Sequence, residues 1–96
     1  MIESEVEKYL RIKIKSIGGL CYKWVSPGNS GVPDRIVIYD GIVWFVELKR
    51  PNAKPRASQI ACHDKLRSKG VKVSVLDSID EVDDFIEELI TYAKRV

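Results

Sequence analysis

The sequence PDRIVIYDGIVWFVELK, at residues 33–49, contains two apolar runs separated only by Asp40-Gly41. Both runs are rich in β-branched and aromatic residues, and Asp-Gly between such runs is typical of a β-hairpin with a two-residue turn. The second run, 42–48, is almost entirely apolar, as expected of a strand that is buried on both faces. We therefore predict a hairpin whose second strand lies in the centre of a sheet.

Helices and further strands are predicted on both sides of this hairpin. Apolar residues spaced three and four apart mark the first and last helices, and Gly or Pro clusters separate the other segments. From the amino terminus, the predicted elements are a helix over 2–17, a strand over 20–25, a loop over 26–33, strands over 35–39 and 42–48, a helix over about 57–69, a strand over 71–76 and a helix opened by the capping box Ser78–Glu81. The order α-β-β-β-α-β-α predicts an α/β fold with a mixed central sheet flanked by helices.

Length and charge set limits on the class of protein. A chain of 96 residues with 45% apolar residues can form one packed domain over 1–96, and 31% charged residues argue against disorder. Eight Lys or Arg and one acid lie between Lys49 and Lys72, whereas seven acids and no base lie between Asp77 and Glu88. The basic segment could bind phosphates, or both segments could be ordinary solvated surfaces.

The cysteines and the hydropathy pattern indicate an intracellular, cytoplasmic protein with reduced thiols. The sequence contains nothing like a signal peptide and no apolar run near the roughly 20 residues needed to cross a bilayer, so no membrane partner is expected. Cys21, Cys62 and the distant His63 do not have the spacing of a zinc site. Both cysteines are therefore interpreted as small apolar fillers.

Asp34 and Glu47 are the charged residues that the predicted hairpin brings together. With a turn at Asp40-Gly41, residues 34 and 47 lie directly opposite each other and share one face of the sheet. Neighbouring carboxylates repel each other, and an acid inside an apolar strand is costly to bury unpaired. A hard divalent cation such as Mg2+ resolves both problems because it binds carboxylate oxygens and waters.

Lys49 follows Glu47 by two residues, so the two side chains share a face. An ammonium group beside a metal-bound water and a phosphate can orient the water and offset developing negative charge. Geometry alone leaves an alternative, in which Lys49 neutralises Asp34 and Glu47 in a structural ion-pair trio.

These residues also resemble a known family. Pro33-Asp34 followed by Glu47-Leu48-Lys49 matches the PD-(D/E)XK signature, and the strings SPGNSGVPDRIV, WFVELKRPNAKPRASQ and VKVSVLDSIDEVDDFI resemble VRR-NUC, the virus-type replication and repair nuclease domain. The resemblance covers nearly the whole chain without an insertion. It implies a restriction-endonuclease-like core and DNA cleavage that depends on Mg2+ or Mn2+.

The resemblance also assigns site residues. It implies a metal held by Asp34, Glu47 and the backbone carbonyl of Leu48, with a first-helix acid acting through water. Glu7 is favoured over Glu3 for that acid because it lies closer to the buried stripe, although both could be solvated acids at a helix N-terminus. Gln59 would position a phosphate or the attacking water, and its alternative is an ordinary polar helix residue. The implied catalytic residues are Glu7, Asp34, Glu47, Lys49 and Gln59.

Contacts to the DNA backbone are expected from the segments flanking this site. The loop glycines would let backbone N–H groups approach a phosphate, unless the loop is a plain connector. The expected DNA-binding residues are Ser26, Gly28, Gly31, Arg50, Lys54 and Arg56. His63 is interpreted as a surface or packing residue, and Trp24, Trp44 and Tyr39 as core residues.

The leading functional hypothesis is an endonuclease of phage or bacterial DNA metabolism that cuts branched DNA as a homodimer, as Holliday-junction resolvases do. Two symmetric cuts need two active sites, and exposed apolar residues such as Ile12, Tyr92 and Val96 could form the interface. A flap or single-strand nuclease is the alternative within the same chemistry. A DNA-binding module that does not cut, and a structural domain without a nucleic-acid partner, are the alternatives outside it.

Overall fold

The computed structural model describes residues 3–96, and Ile2, which we predicted to belong to the first helix, lies outside them. Its elements are α1 (Glu5–Ser16), β1 (Leu20–Lys23), β2 (Arg35–Tyr39), β3 (Ile42–Leu48), α2 (Ala57–Ser68), β4 (Lys72–Leu76) and α3 (Ile79–Arg95). The predicted α/β order is confirmed. None of the helices in this described part is both long and apolar enough to span a membrane.

The sheet is mixed, with strand order β1-β2-β3-β4. β1 and β2 pair antiparallel, as do β2 and β3, whereas β3 and β4 pair in parallel. Tyr39 lies opposite Ile42, which is the register of a two-residue hairpin. Asp40 and Gly41 have φ of 49° and 81°, the positive values that such a turn requires at both positions. β3 therefore lies inside the sheet, as its apolar sequence predicts.

The two faces of the sheet carry different side chains. α1 and α3 cover one face, where Trp44 of β3 packs edge-on against Phe85 of α3. The buried core on that side comprises Leu10, Ile14, Val37, Trp44, Val46, Leu76, Val82, Phe85, Ile86 and Leu89. α2 covers the opposite face, and its buried residues are Gln59 and His63. The acidic helix α3 and the basic segment containing α2 consequently lie on opposite sides of the sheet.

Two element boundaries differ from the sequence prediction by more than one residue. α1 begins at Glu5 because the Ser4 hydroxyl accepts a hydrogen bond from the backbone N–H of Glu7 (3.1 Å) and so caps the helix. The first strand was predicted to reach Val25, but β1 ends at Lys23 and Val25 is 79% exposed. The alternation of apolar residues predicted a longer first strand, but pairing with β2 ends where Lys23 lies opposite Arg35.

Candidate active site

Asp34 and Glu47 sit at the open end of the β2–β3 hairpin. Arg35 pairs with Val46, so the next residues outward, Asp34 and Glu47, continue the same register. One oxygen of Asp34 accepts a hydrogen bond from the backbone N–H of Leu48 at 2.9 Å, which fixes Asp34 across the end of β3. The tight turn at the far end of the hairpin therefore determines where these two acids meet.

Glu47 is buried, with 2% of its surface exposed. Its Oε2 lies 3.1 Å from Nζ of Lys49 and accepts a hydrogen bond from Nε2 of Gln59 at 2.9 Å, whereas its Oε1 has no partner. Burial, and next the negative charge of Asp34, raise the pKa of Glu47, and the contact with Lys49 partly opposes them. Burial and the charge of Asp34 both disfavour the charged form of Glu47, so a cation bound nearby would stabilise it.

Gln59 connects Glu47 to Lys49. Its Oε1 accepts hydrogen bonds from Nζ of Lys49 (2.6 Å) and from the backbone N–H of Arg56 (2.9 Å), and its Nε2 donates to Glu47. Because two donors face Oε1 and one acceptor faces Nε2, the amide can have only one orientation. The sequence suggested a contact of Gln59 with phosphate or water, but here these three hydrogen bonds go to protein groups.

Arg35 is a site residue that the sequence analysis missed. It is buried, and it donates from Nε to Glu7 at 2.8 Å and from a terminal nitrogen to Glu3 at 3.0 Å. Its position in β2, two residues before the core residue Val37, was the available signal, since a buried arginine requires acidic partners. Arg35 fastens the first turns of α1 to the sheet.

An open cleft of about 600 Å3 lies where these elements meet. Glu7 of α1, Asp34, and the segment from Leu48 to Arg50 contribute to its wall. Glu3 forms its ion pairs with Arg11 and Arg35 and does not contribute. The structure therefore brings Glu7, the acid favoured by the sequence, into the same cleft as Asp34.

His63 is not a surface residue. It is 2% exposed, one turn after Gln59 on α2, and its Nε2 lies 4.0 Å from Oε1 of Glu47. Burial, followed by the positive charges of Arg67 and Lys49, lowers the pKa of His63. The sequence left two positions open for His63, on the surface or packed inside the protein. The surface position is wrong, and the packed position is the one observed.

Comparisons with known proteins indicate the family of the chain. No family model matches the sequence. The chain is 47% identical over 79 residues to a protein of Acyrthosiphon pisum secondary endosymbiont phage 1 named "Putative nuclease p44", covering 81% of this chain and 85% of that protein. A solved structure described as a VRR_NUC domain superposes with a TM-score of 0.83 at 39% identity, covering 88% of this chain and 94% of the other.

The chain belongs to the VRR_NUC family. The resemblance inferred from the sequence is thereby confirmed, and the protein is a nuclease of the VRR_NUC type. VRR_NUC nucleases are of the PD-(D/E)XK type and need a divalent metal.

The donor groups of this VRR_NUC chain suit a hard cation that keeps several waters. Within residues 3–96, no three His, Cys, Asp or Glu side chains converge to form a full protein ligand set. Mg2+ typically binds one or two carboxylates and completes its shell with water and substrate oxygens. Asp34 and Glu47 offer two adjacent carboxylates, and the buried Oε1 of Glu47 is without a partner. These residues therefore fit a Mg2+ or Mn2+ ion.

The residues expected to contact DNA occupy two segments beside the cleft. Arg50 contributes to the cleft wall, and Lys54 and Arg56 are exposed on the connector that leads into α2. In the other segment, Gly28 has open space around its Cα, and Ser26 accepts a hydrogen bond from the side chain of Asn29.

Gly31 has a different environment from Gly28. A Cβ placed on Gly31 would lie 2.8 Å from the carbonyl carbon of Ser58 and 3.0 Å from Cα of Gln59. The missing side chain thus lets the loop lie directly against the first turn of α2. This contact supports the helix that carries Gln59.

Proposed function

We propose that this VRR_NUC protein is a divalent-metal-dependent DNA endonuclease whose active centre comprises Asp34, Glu47 and Lys49. The observation that carries the proposal is the buried Glu47 carboxylate, which lies 3.1 Å from Lys49 Nζ and next to Asp34 at the end of the hairpin. A purely structural ion pair would not need a second acid whose charge raises the pKa of the first. The unbalanced negative charge favours a cation site over a structural trio.

Asp34 and Glu47 would hold the metal. When bound, Mg2+ or Mn2+ supplies polarisation of the scissile phosphate and a more acidic water. The family resemblance adds the backbone carbonyl of Leu48 and, through a water, Glu7. Both residues contribute to the cleft wall, and the ion pair with Arg35 keeps the carboxylate of Glu7 directed to the sheet side of α1.

Lys49 supplies the positive charge from the protein. Its side chain is 15% exposed, so its ammonium group is shielded from bulk water yet borders the cleft. Such a group can orient the attacking water and stabilise charge that develops on the phosphate. Gln59 fixes Lys49 and Glu47 relative to each other, which places the charge and the carboxylate in one geometry before DNA arrives.

Binding of DNA would rely on the basic residues around the cleft. Arg50, Lys54 and Arg56 are exposed and belong to one short segment, so they can follow a phosphate backbone. Backbone N–H groups near Ser26, Gly28 and Gly31 would add further contacts. Contacts of this kind position the strand without reading its sequence, so affinity should fall steeply with salt.

We further propose that the substrate is branched DNA and that the active species is a homodimer. One chain carries one set of Asp34, Glu47 and Lys49, and symmetric resolution of a junction needs two such sets. Ile12 and Val96 are exposed as expected, but Tyr92 packs edge-on against Trp44 and is half-buried. Leu20 and Tyr22 of the outer strand β1 provide additional exposed apolar surface. The phage source of the p44 relative supports a role in phage or bacterial DNA metabolism.

A cleavage assay tests the chemistry. The purified protein is incubated with labelled four-way junction, flap, duplex and single-stranded DNA in Mg2+, in Mn2+ or in EDTA. We expect metal-dependent cleavage of the junction in symmetric positions and none in EDTA. Cleavage that survives EDTA would refute the metal site, and a preference for flaps or single strands would replace the junction assignment. Binding without cleavage in either metal would favour the module that does not cut.

Light scattering tests the dimer. At micromolar concentration, with and without DNA, we expect about twice the chain mass of 10.9 kDa. Val96→Ser, at an exposed apolar position, tests the proposed interface. Lys94→Ser, at a polar neighbour, is its control. A monomer under both conditions that resolves junctions symmetrically would disprove the dimer proposal.

A further inference from the structure

Two buried polar atoms face each other without hydrogen-bond partners in the interface between α2 and the sheet. They are Oε1 of Glu47 and Nε2 of His63, 4.0 Å apart, and both side chains are 2% exposed. Buried polar atoms in proteins nearly always have a hydrogen-bond partner. A carboxylate oxygen and an imidazole nitrogen that lie side by side without other partners therefore indicate an interaction between the two side chains.

The chemistry of the two groups determines which atom donates the hydrogen bond and which accepts it. A carboxylate oxygen can only accept, and an imidazole lone pair pointed at it would be repelled. The proton therefore belongs on Nε2 of His63. The separation exceeds a direct N–H···O distance by about 1 Å, and hydrogen bonds of catalytic groups are often long before substrate binds and shorten in the complex.

We propose that His63 is a positioning residue that holds Glu47 from the side opposite Lys49, by donating from Nε2 to Oε1. This proposal rests on the proposed function of Glu47 as a metal ligand. Gln59 and Lys49 already hold Oε2. A hydrogen bond from His63 uses one lone pair of Oε1 and leaves the other for the cation. The carboxylate plane is then fixed, and the side chain does not reorient when the cation arrives.

The positions along α2 support this role. His63 follows Gln59 by four residues, so both side chains project from the same face of the helix towards β3. The helix has no other buried residue, and each of these two is directed to a different oxygen of Glu47. Partners of metal ligands act in this way, since they orient the ligand and typically change metal affinity by about 10- to 100-fold.

The first test reads the imidazole directly. His63 is the only histidine of the chain, so nitrogen NMR of tag-free protein needs no assignment of its ring signals. In metal-free protein we expect the tautomer with the proton on Nε2, and we expect Glu47→Gln to shift the Nε2 signal. Glu87→Gln, an exposed acid on the opposite face, serves as the control that leaves it unchanged. A proton on Nδ1, or an Nε2 signal indifferent to Glu47→Gln, would overturn the proposal.

The second test separates positioning from space filling. His63→Leu keeps an apolar side chain and removes the donor, whereas His63→Gln keeps an N–H group near the position of Nε2. We expect His63→Leu to weaken Mn2+ binding in calorimetry and to lower kcat, each by about tenfold or more, with an unchanged KM for DNA and an unchanged melting temperature. His63→Gln should restore most of both losses.

The outcomes are distinguishable from a failure of the proposed function. If wild-type protein neither binds Mn2+ nor cuts DNA, the proposed function fails, and the NMR experiment still decides the link between His63 and Glu47. If wild-type protein cuts and His63→Leu equals it in Mn2+ affinity and kcat, the positioning role is wrong. A His63→Gln variant as impaired as His63→Leu would equally contradict it.

Discussion

The two sheet faces of this VRR_NUC nuclease are built from opposite kinds of residue. α3 buries Val82, Phe85, Ile86, Leu89 and Ala93, while α2 buries only a glutamine and a histidine. Apolar burial stabilises the first contact without regard to direction, whereas hydrogen bonds at fixed distances define the second. The comparison indicates that one face determines whether the chain folds and the other determines where the side chains of the proposed active centre point.

Truncation of Leu89 should have the largest effect on folding. Leu89 is fully buried in α3, so Leu89→Ala should lower the free energy of unfolding by about 3 kcal/mol. Ile60→Ala on α2 removes a side chain that is 49% exposed and should change it by less than about 0.5 kcal/mol. Chemical denaturation of both variants measures the difference. Equal losses of unfolding free energy would show that apolar contacts of α2 stabilise the fold more than the exposure of Ile60 suggests.

Removal of Glu47 should have the largest effect on catalysis. Glu47→Ala should lower kcat by about a hundredfold or more, which corresponds to about 2.7 kcal/mol of barrier. The free energy of unfolding of the metal-free protein should fall by about 1–3 kcal/mol, because Gln59 and Lys49 lose the carboxylate that they contact. Exposed Glu87→Ala is the control for both measurements. Cleavage above about a tenth of the wild-type rate would exclude Glu47 from the metal site.

A pair of glycine variants tests how closely the loop supports α2. Gly31 and Gly28 have φ of 84° and 83°, so alanine causes the same backbone strain at both. Only at Gly31 would the new Cβ meet the backbone of Ser58. Gly31→Ala should therefore cost about 2 kcal/mol more than Gly28→Ala in thermal or chemical unfolding. Equal costs would mean that the loop moves aside freely.

The smallest of these effects is expected at Gln59. Gln59→Leu keeps the volume but removes the hydrogen bonds to Glu47 and Lys49, so kcat should fall by about tenfold while DNA binding persists. Ser58→Ala, the preceding exposed residue, should leave kcat unchanged. Steady-state kinetics with a junction substrate measures both. If Gln59→Leu weakened DNA binding and left kcat intact, Gln59 would contact the phosphate instead, as first expected from the sequence.

The sequence was sufficient to predict the structure wherever residues close together in the chain determine it. Asp40-Gly41 fixed the hairpin register because only a two-residue turn with two positive φ values fits between the runs. From that register the juxtaposition of Asp34 and Glu47 followed directly. The helix bounds were predictable to within a few residues because apolar spacing and capping are also local.

The sequence was insufficient where residues distant along the chain meet. The ion pair of Arg35 with Glu7 joins positions 28 residues apart, and local pattern does not indicate which acid a buried arginine will find. His63 lies on a helix with no apolar stripe, so its burial depends on the acid that β3 places beneath it. Gly31 was interpreted through its backbone freedom, whereas its closest contact is with the backbone of a helix later in the chain.

The strand order of the sheet repeats the order along the chain, which has a kinetic consequence. The antiparallel joint between β2 and β3 closes over a two-residue turn, and hairpins of this kind form in about 1–10 μs. The joint between β1 and β2 closes over the longer loop 24–34. The parallel joint between β3 and β4 requires the whole crossover through α2, so its loop-closure entropy is larger and it should form last. Glu47 belongs to β3, Lys49 follows that strand directly, and their partner Gln59 belongs to the crossover. A chain that has paired only its antiparallel strands therefore lacks the proposed active centre, and nuclease activity should emerge only with the final folding step.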